Sequence, residues 1–361
     1  MSLGPSPAPG QPATPRHADD RLPSVTVDAY NAELRDPEGF VGDRASKRAF
    51  QAILEAWRDL ARRTAGDPFG GAPNQDVSKQ RIDRTLVADD PEAAAVVHGA
   101  VEDFAQALAD VVRRFLALEA WAGTERIVVG GGLRASRVGA LAIFRAGNLL
   151  RQAGAQGPAL APIRHDPDEA ALIGAAHLAP AGLFQGRDAF LAVDIGGTSI
   201  RCGIVAPELG EAADLSAARV VALDAWRHAD ERPTRDAAVD RLGSMLQALV
   251  RRAGRDGLCL APFVGIGCPG LIGPDGRIRR GGQNLPGDWT EAAFRLPDRI
   301  SAMLREVGGQ PPVVLMHNDA VVQGLSERPF QTDVARWGVL TIGTGLGNAR
   351  FTNRLGSPAE T

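Results

Sequence analysis

Apolar residues recur along this chain in two rhythms, and the rhythm changes near its middle. Up to about residue 178 the period is helical. Phe50, Ile53, Leu54, Trp57, Leu60 and Ala61 share one face of a helix that Asp43 is placed to cap and the DPFGG run from Asp67 to Gly71 ends. A second amphipathic helix starts at Asp90-Pro91 and carries Val97, Val101, Phe104, Leu108, Val111 and Phe115 on one stripe. A short apolar strand from Arg126 then runs into Gly130-Gly131-Gly132, and helical spacing resumes over 138–150 and 167–178. Beyond a connector at 179–187 short strands dominate: LAVDIGG, SIRCGIVAP and ARVVALDAW, then a helix near Arg235 to Arg252, then FVGIGCPG. VVLMHNDAVVQGLSE reads as a strand feeding a helix, and WGVLTIGTGLG as a strand ending in a glycine loop. Strands alternating with helices predict an α/β protein with mixed sheets. No tandem repeat is present at a 20–50-residue period.

Composition narrows the class. At 361 residues the chain exceeds an average domain, so two lobes are expected. Hydrophobic content of 44% with net charge −3 suits a soluble globular protein, and a nucleic-acid partner is not expected. No apolar run approaches the ~18 residues that would imply a membrane span. Cys202, Cys259 and Cys268 form no CxxC pair, which predicts neither a disulfide framework nor a cysteine-rich zinc site and suits a cytoplasmic protein. Residues 1–24, rich in Pro, Ala and Gly, are expected to be a disordered tail without the pattern of a signal peptide.

Three glycine clusters follow apolar strands: DIGGT, TIGTGLG and VVGGGL. Glycine permits positive φ and lets N–H groups approach an anion without a Cβ in the way. The familiar nucleotide motifs are absent. Walker A needs Gly-Lys-Ser/Thr, and neither Lys47 nor Lys79 lies near a glycine run in sequence; GTGLGN also lacks GxGxxG spacing. Phosphates held here would rest on main-chain amides and on the hydroxyls of Thr198 and Thr344. Asp194, ending its strand beside the first turn, either holds a magnesium ion through water or caps the turn. In His317-Asn318-Asp319 a strand delivers a carboxylate to a helix start, where it accepts a hydroxyl proton during phosphoryl transfer, or else Asn318 or Asp319 is simply an N-cap. The loop GGQNLPGDW, from Gly281 to Trp289, offers Asn284 to a polyol or is a turn anchored by Trp289.

Together these segments resemble the ROK family of sugar kinases and repressors, within the actin/hexokinase-like ATPase fold (a two-lobed α/β fold with a ribonuclease H-like motif). DIGGTSIRCGIV is similar to the family's first phosphate motif, TIGTGLG to its second, and VVGGGL to its adenosine motif. GIGCPG and NLPGDW resemble its sugar-side loops, and HNDAVVQGLSE its catalytic segment. The order differs, because VVGGGL precedes DIGGT, and a circular permutation would account for it. Residues 25–187 would then be the lobe usually carboxyl-terminal, and 188–355 the lobe usually amino-terminal.

The resemblance implies ATP-dependent phosphorylation of a hexose or amino-sugar hydroxyl. Asp319 would be general base, and Asn284, Asn318 and Gly270 would bind the sugar. Gly196, Gly197, Thr198, Thr344, Gly345, Gly347, Gly131 and Gly132 would line ATP, with Asp194 near Mg2+. It admits a homodimer, with no membrane or nucleic-acid partner. A non-catalytic sugar or nucleotide sensor is the alternative, and a repressor would need a helix-turn-helix that the proline-rich tail does not supply. The family's Glu-x-Gly-His sugar segment and its zinc cluster have no match, so zinc is not expected; Glu38 and Asp43 are replacements for the former or simply surface carboxylates.

Overall fold

The computed structural model describes residues 16–64, 66–152, 157–179, 181–282 and 284–354. Residues 1–15 of the expected tail lie outside them, but its last residues are ordered against the body. Leu22 is buried, and Ala18 N–H donates to Met316 O at 2.9 Å along a strand edge. Those contacts offset an ordering cost that composition alone would leave unmet.

The chain enters strand β1 (Val25–Tyr30), followed by helices α1 (Lys47–Thr64), α2 (Lys79–Leu86) and α3 (Pro91–Leu116). Strand β2 (Arg126–Gly130), helix α4 (Arg137–Gln152), strand β3 (Ala159–Pro162) and the short α5 (Ala170–Gly174) complete this half. In α3 the predicted stripe is fully buried and Asp90 caps the first turn, accepting from Glu92 and Ala93 N–H at 3.1 Å. In α1 the expected cap is corrected. Ser46 Oγ accepts from Ala49 N–H at 3.2 Å, because Asp43 is taken up in a separate 3-10 turn, and Leu60 faces outward.

The second half begins with the antiparallel meander β4 (Ala189–Ile195), β5 (Ile200–Ala206) and β6 (Arg219–Trp226). Helix α6 (Arg235–Arg255) crosses to β7 (Leu260–Cys268), and then come β8 (Val313–Asn318), α7 (Asp319–Leu325), β9 (Arg336–Ile342) and β10 (Leu346–Asn353).

Two five-stranded mixed sheets result. One has the order β8-β7-β4-β5-β6, with β4, β7 and β8 parallel and β5 and β6 antiparallel to their neighbours. The other has the order β1-β10-β9-β2-β3, with β9, β2 and β3 parallel and β10 and β1 antiparallel. Counted from β4 and read from the β6 edge, the first sheet runs third, second, first, fourth, fifth. Counted from β9 and continued at β1, the second reads the same. The sheets therefore do not follow the expected boundary at 187/188. β9 and β10, expected with 188–355, pair with β1 and β2 because their strand register is completed there.

Between the sheets lies a shared core. Phe190 and Phe263 from one sheet and Trp337 and Phe351 from the other enclose Leu172, Val321 and Leu325 of α5 and α7. The two helices meet at Gly174, where an added Cβ would stand 1.8 Å from Val322 O. Gly324 is similarly tight, 2.8 Å from Val339 Cγ1. Such overpacking against main chain costs about 1–3 kcal/mol or more. Gly174→Ala should therefore lower unfolding free energy by at least that much in urea titration. Gly254→Ala, which meets nothing within 4 Å in α6, should be neutral or stabilising by about 0.5–1 kcal/mol. Equal stability of the two variants would refute the close crossing.

Candidate active site

Parallel registry brings three strand ends of the first sheet level: Asp194 lies opposite Gly267, and Asn318 opposite Cys268. In the second sheet Thr341 lies opposite Gly130. The segments leaving these strand ends line one cleft of about 810 Å³ between the sheets. Ligands of open α/β sheets bind outside such carboxyl ends.

The first glycine turn is closed by Gly196 N–H donating to Ser199 O at 2.9 Å, and His228 Nε2 lies 2.9 Å from Gly196 O. Gly197 is needed for proximity: a Cβ there would lie 3.0 Å from Asn284 Cβ, so the turn abuts the Asn284 loop. In the second turn Gly343 N–H donates to Gly345 O at 2.9 Å. Gly131 adopts φ +85° and has room for no side chain, because a Cβ would meet Ile342 O at 2.3 Å. Positive φ, expected of the clusters generally, is thus used at Gly131, and at Gly270 (φ +104°) in the neighbouring loop, but not at Gly196 or Gly197.

Every predicted site residue except Asn318 lines the cleft: Asp194, Gly196, Gly197, Thr198, Gly270, Asn284, Asp319, Thr344, Gly345, Gly347, Gly131 and Gly132. Asn318 is buried behind it. Its Oδ1 accepts from Ala320 N–H at 3.0 Å as the cap of α7, and its Nδ2 donates to Gly270 O at 3.0 Å. Trp289 is likewise an anchor, buried with Nε1 donating to Pro286 O at 2.8 Å. His317 is packed edge-on against Tyr30, and burial lowers its pKa to about 4. Burial pushes the Cys268 thiol well up, which leaves it unreactive.

Two carboxylates face the cleft under strain. Burial, then the charge of Asp194, raises the Asp319 pKa to about 7, against the opposing hydrogen bonds from Ala320 N–H and Asn318. Burial also raises Asp194, and Arg201 only partly offsets it, with Nη1 3.2 Å from Asp194 Oδ2. Arg201 Nη2 reaches Asp168 Oδ1 at 2.6 Å, linking the first sheet to the segment before α5. Among the described residues no group of three or more His, Cys, Asp or Glu could hold a metal. The fit to magnesium is therefore that of an ion carried by phosphate and water, with Asp194 and Asp319 gaining from its charge.

Further lining residues were not predicted as site residues. Phe50 and Leu54 of α1, Val77 just before α2, Ile82 of α2, Leu133 before α4 and Val138 in its first turn form an apolar wall. Asn31 and Glu33, just after β1, join Asp43 beside Gly270, Gly281 and Asn284 in the lining. Asn31 Nδ2 is buried without a hydrogen-bond partner. Of the two replacement carboxylates weighed from sequence, Asp43 lines the cleft, whereas Glu38 is exposed and pairs with Arg44 at 3.0 Å. Both lysines also reach glycine runs, contrary to their sequence separation.

No family model matches the chain, and no curated protein matches it. Solved structures do. A ROK family glucokinase from Streptomyces griseus, in complex with glucose and AMPPNP, is 25% identical over 46% of this chain and 46% of that one, with a TM-score of 0.33. A ROK hexokinase from Thermus thermophilus is 22% identical over 46% of this chain and 47% of that one, with a TM-score of 0.27. The Lmo2764 protein from Listeria monocytogenes is 24% identical over 46% and 47%, with a TM-score of 0.33. The chain spans about half the length of the structures it matches. The first two are sugar kinases. No helix among the described residues is long and apolar enough to cross a membrane.

The raised Asp319 pKa has a stability consequence of fixed sign. A folded-state pKa above the unfolded value gives stability that is fully present below about pH 4 and lost as pH rises through about 7. Thermal melts of Asp319→Asn should therefore gain on wild type steadily between those values. A difference that is constant with pH would show that Asp319 titrates normally.

Proposed function

We propose that this protein is a sugar kinase of ROK type, transferring the γ-phosphoryl group of ATP to a hydroxyl of a hexose or amino sugar and releasing ADP. The observation that carries the reading is Asp319: a carboxylate poised near pH 7 at a strand end, sharing one cleft with two glycine turns and a second carboxylate. A base so tuned can be ionised at neutral pH and still accept a proton as the sugar oxygen attacks phosphorus.

The chain's own groups then have distinct tasks. Thr198 and Thr344, with the N–H groups of their turns, hold phosphate oxygens. Asp194 and Asp319 would stand near Mg2+, which when bound neutralises charge on the transferring phosphate. The apolar wall from Phe50 to Val138 suits the faces of a purine. Asn284 and Asn31, with Glu33 and Asp43, suit the hydroxyls of a sugar, and the unpaired Asn31 Nδ2 would gain an acceptor there. Asn318 is a positioning residue, fixing both the start of α7 and Gly270. The strand order supports a permuted arrangement, and the free Cys202, Cys259 and Cys268 suit a reducing cytoplasm. A homodimer belongs to the same reading.

The test is ADP release with Mg2+ and ATP across glucose, mannose, fructose, N-acetylglucosamine, N-acetylmannosamine and allose. Sugar-dependent release should fall at least 10³-fold in Asp319→Asn, and turnover within tenfold of wild type would sink the assignment. Without sugar-dependent release, but with ATP binding intact, the protein would be a sensor. In an active enzyme log kcat/KM should fall with unit slope below about pH 7, where Asp319 becomes protonated. Asn31→Ala should raise the sugar KM by about fivefold or more, the cost of one lost hydrogen bond, while leaving the KM for ATP unchanged; equal change in both would place Asn31 outside the acceptor site.

A further inference from the structure

Of the 40 basic residues in the chain only Lys47 and Lys79 are lysines, and both line the cleft. Lys47 opens α1, and its main-chain N–H donates to Gly343 O at 3.0 Å, at the base of the second glycine turn. Lys79 opens α2, and its ammonium donates to Gly132 O at 2.6 Å, in the third glycine cluster. Because Gly131 packs directly on Ile342, the two lysines flank two loops that touch.

Their electrostatic setting differs from that of the arginines held in ion pairs. Arg44, Arg58, Arg126 and Arg201 are each neutralised by a carboxylate at 3.2 Å or less. Neither lysine makes such a pair among the described residues. Burial and the charge of Lys47 push the Lys79 pKa down, while Asp168, Asp83 and Asp166 pull it up from a distance. Two accessible ammonium groups thus repel one another beside main-chain loops already suited to anions. A bound polyanion would remove that repulsion. An ammonium is a compact charge with three freely rotating donors, which binds phosphate oxygens as a point charge without demanding one fixed geometry.

We infer that Lys47 and Lys79 together hold a chain of condensed phosphates across the second and third glycine loops, and so set the preference for a triphosphate over a monophosphate. The inference rests on the kinase reading only in assigning these loops to the phosphoryl donor. Nucleoside triphosphate and inorganic polyphosphate share this chemistry, and the test includes both.

Mg-ATP, AMP and inorganic tripolyphosphate are titrated calorimetrically into wild type, Lys47→Gln, Lys79→Gln and the double variant. ATP affinity should fall on the order of tenfold per lysine, as expected for a lost charged hydrogen bond, with AMP affinity unchanged. Tripolyphosphate should displace ATP from wild type and lose that ability in the double variant. Unchanged ATP affinity overturns the proposal. So does an equal loss for ATP and AMP, which would make Lys79 merely a brace for Gly132, and so does a failure of tripolyphosphate to compete. On the wild-type protein, an amine-acylating acyl-phosphate analogue of ATP should modify Lys47 and Lys79, with ATP protecting them; modification indifferent to ATP also overturns it. The kinase reading is judged separately by sugar-dependent turnover and its loss in Asp319→Asn, so either can fail while the other stands.

Discussion

The architecture depends on how closely α5 and α7 approach at Gly174. No side chain fits between that residue and Val322 O, so the two short helices act as one plug between the sheets. Because α7 starts directly from β8, its first residue is carried to the same place each time the plug forms. That residue is Asp319. Asn318 secures the arrangement by spending all of its side chain on the cap of α7 and on Gly270 O, so that a helix, a strand end and a turn are fixed by one amide. The close crossing supplies the rigidity that a cleft between two sheets would otherwise lack.

What the plug brings together is, on its own, unfavourable. Burial raises the pKa of both Asp194 and Asp319, the charge of Asp194 raises Asp319 further, Lys47 and Lys79 repel, and Asn31 Nδ2 is left without a partner. Each of these costs folding free energy that a packed apolar substitute would not. They sit beside three separate cores of near-complete burial, which offset the cost. Strain confined to one cleft, with relief available from a cation, phosphates and hydroxyls, is the pattern of a site organised for ligands before they arrive.

Much of this was legible in the sequence, for physical reasons that differ by element. The stripe of α3 and the continuous apolar run of β7 are buried on the faces their periods imply, because local pattern and tertiary packing agree there. Strand β1 went unread. VTVDAY is short, follows a proline-rich stretch, and is stabilised by pairing with β10, more than 300 residues away, which local pattern cannot reveal. Asn31 and Glu33 are therefore hard to place from sequence, since they enter the cleft from the segment after that strand, as Asp43 does from the 3-10 turn Val41–Ala45. Sequence distance separates the lysines from the glycine runs, yet helix starts deliver both to them. For Asn318 and Trp289 the structural alternatives describe what the side chains do, while their loops still border the cleft.

The two sheets also differ in how they must be assembled, and this bears on how the cleft works. The strands of the Asp194 sheet all come from residues 189–318, and its meander pairs neighbours in sequence. The other sheet closes only when Val25 meets Asn353 and Trp337 meets Arg126. Long closures are entropically dearer and slower, so the acid pair stands on the locally assembled sheet and the second and third glycine loops on the one closed last. A polyanion spanning those loops draws α1, α2 and β9 together and favours that closure by mass action. The donor end of the cleft is thus the part whose order is most open to its ligand, while the acid pair remains fixed by the plug between the sheets.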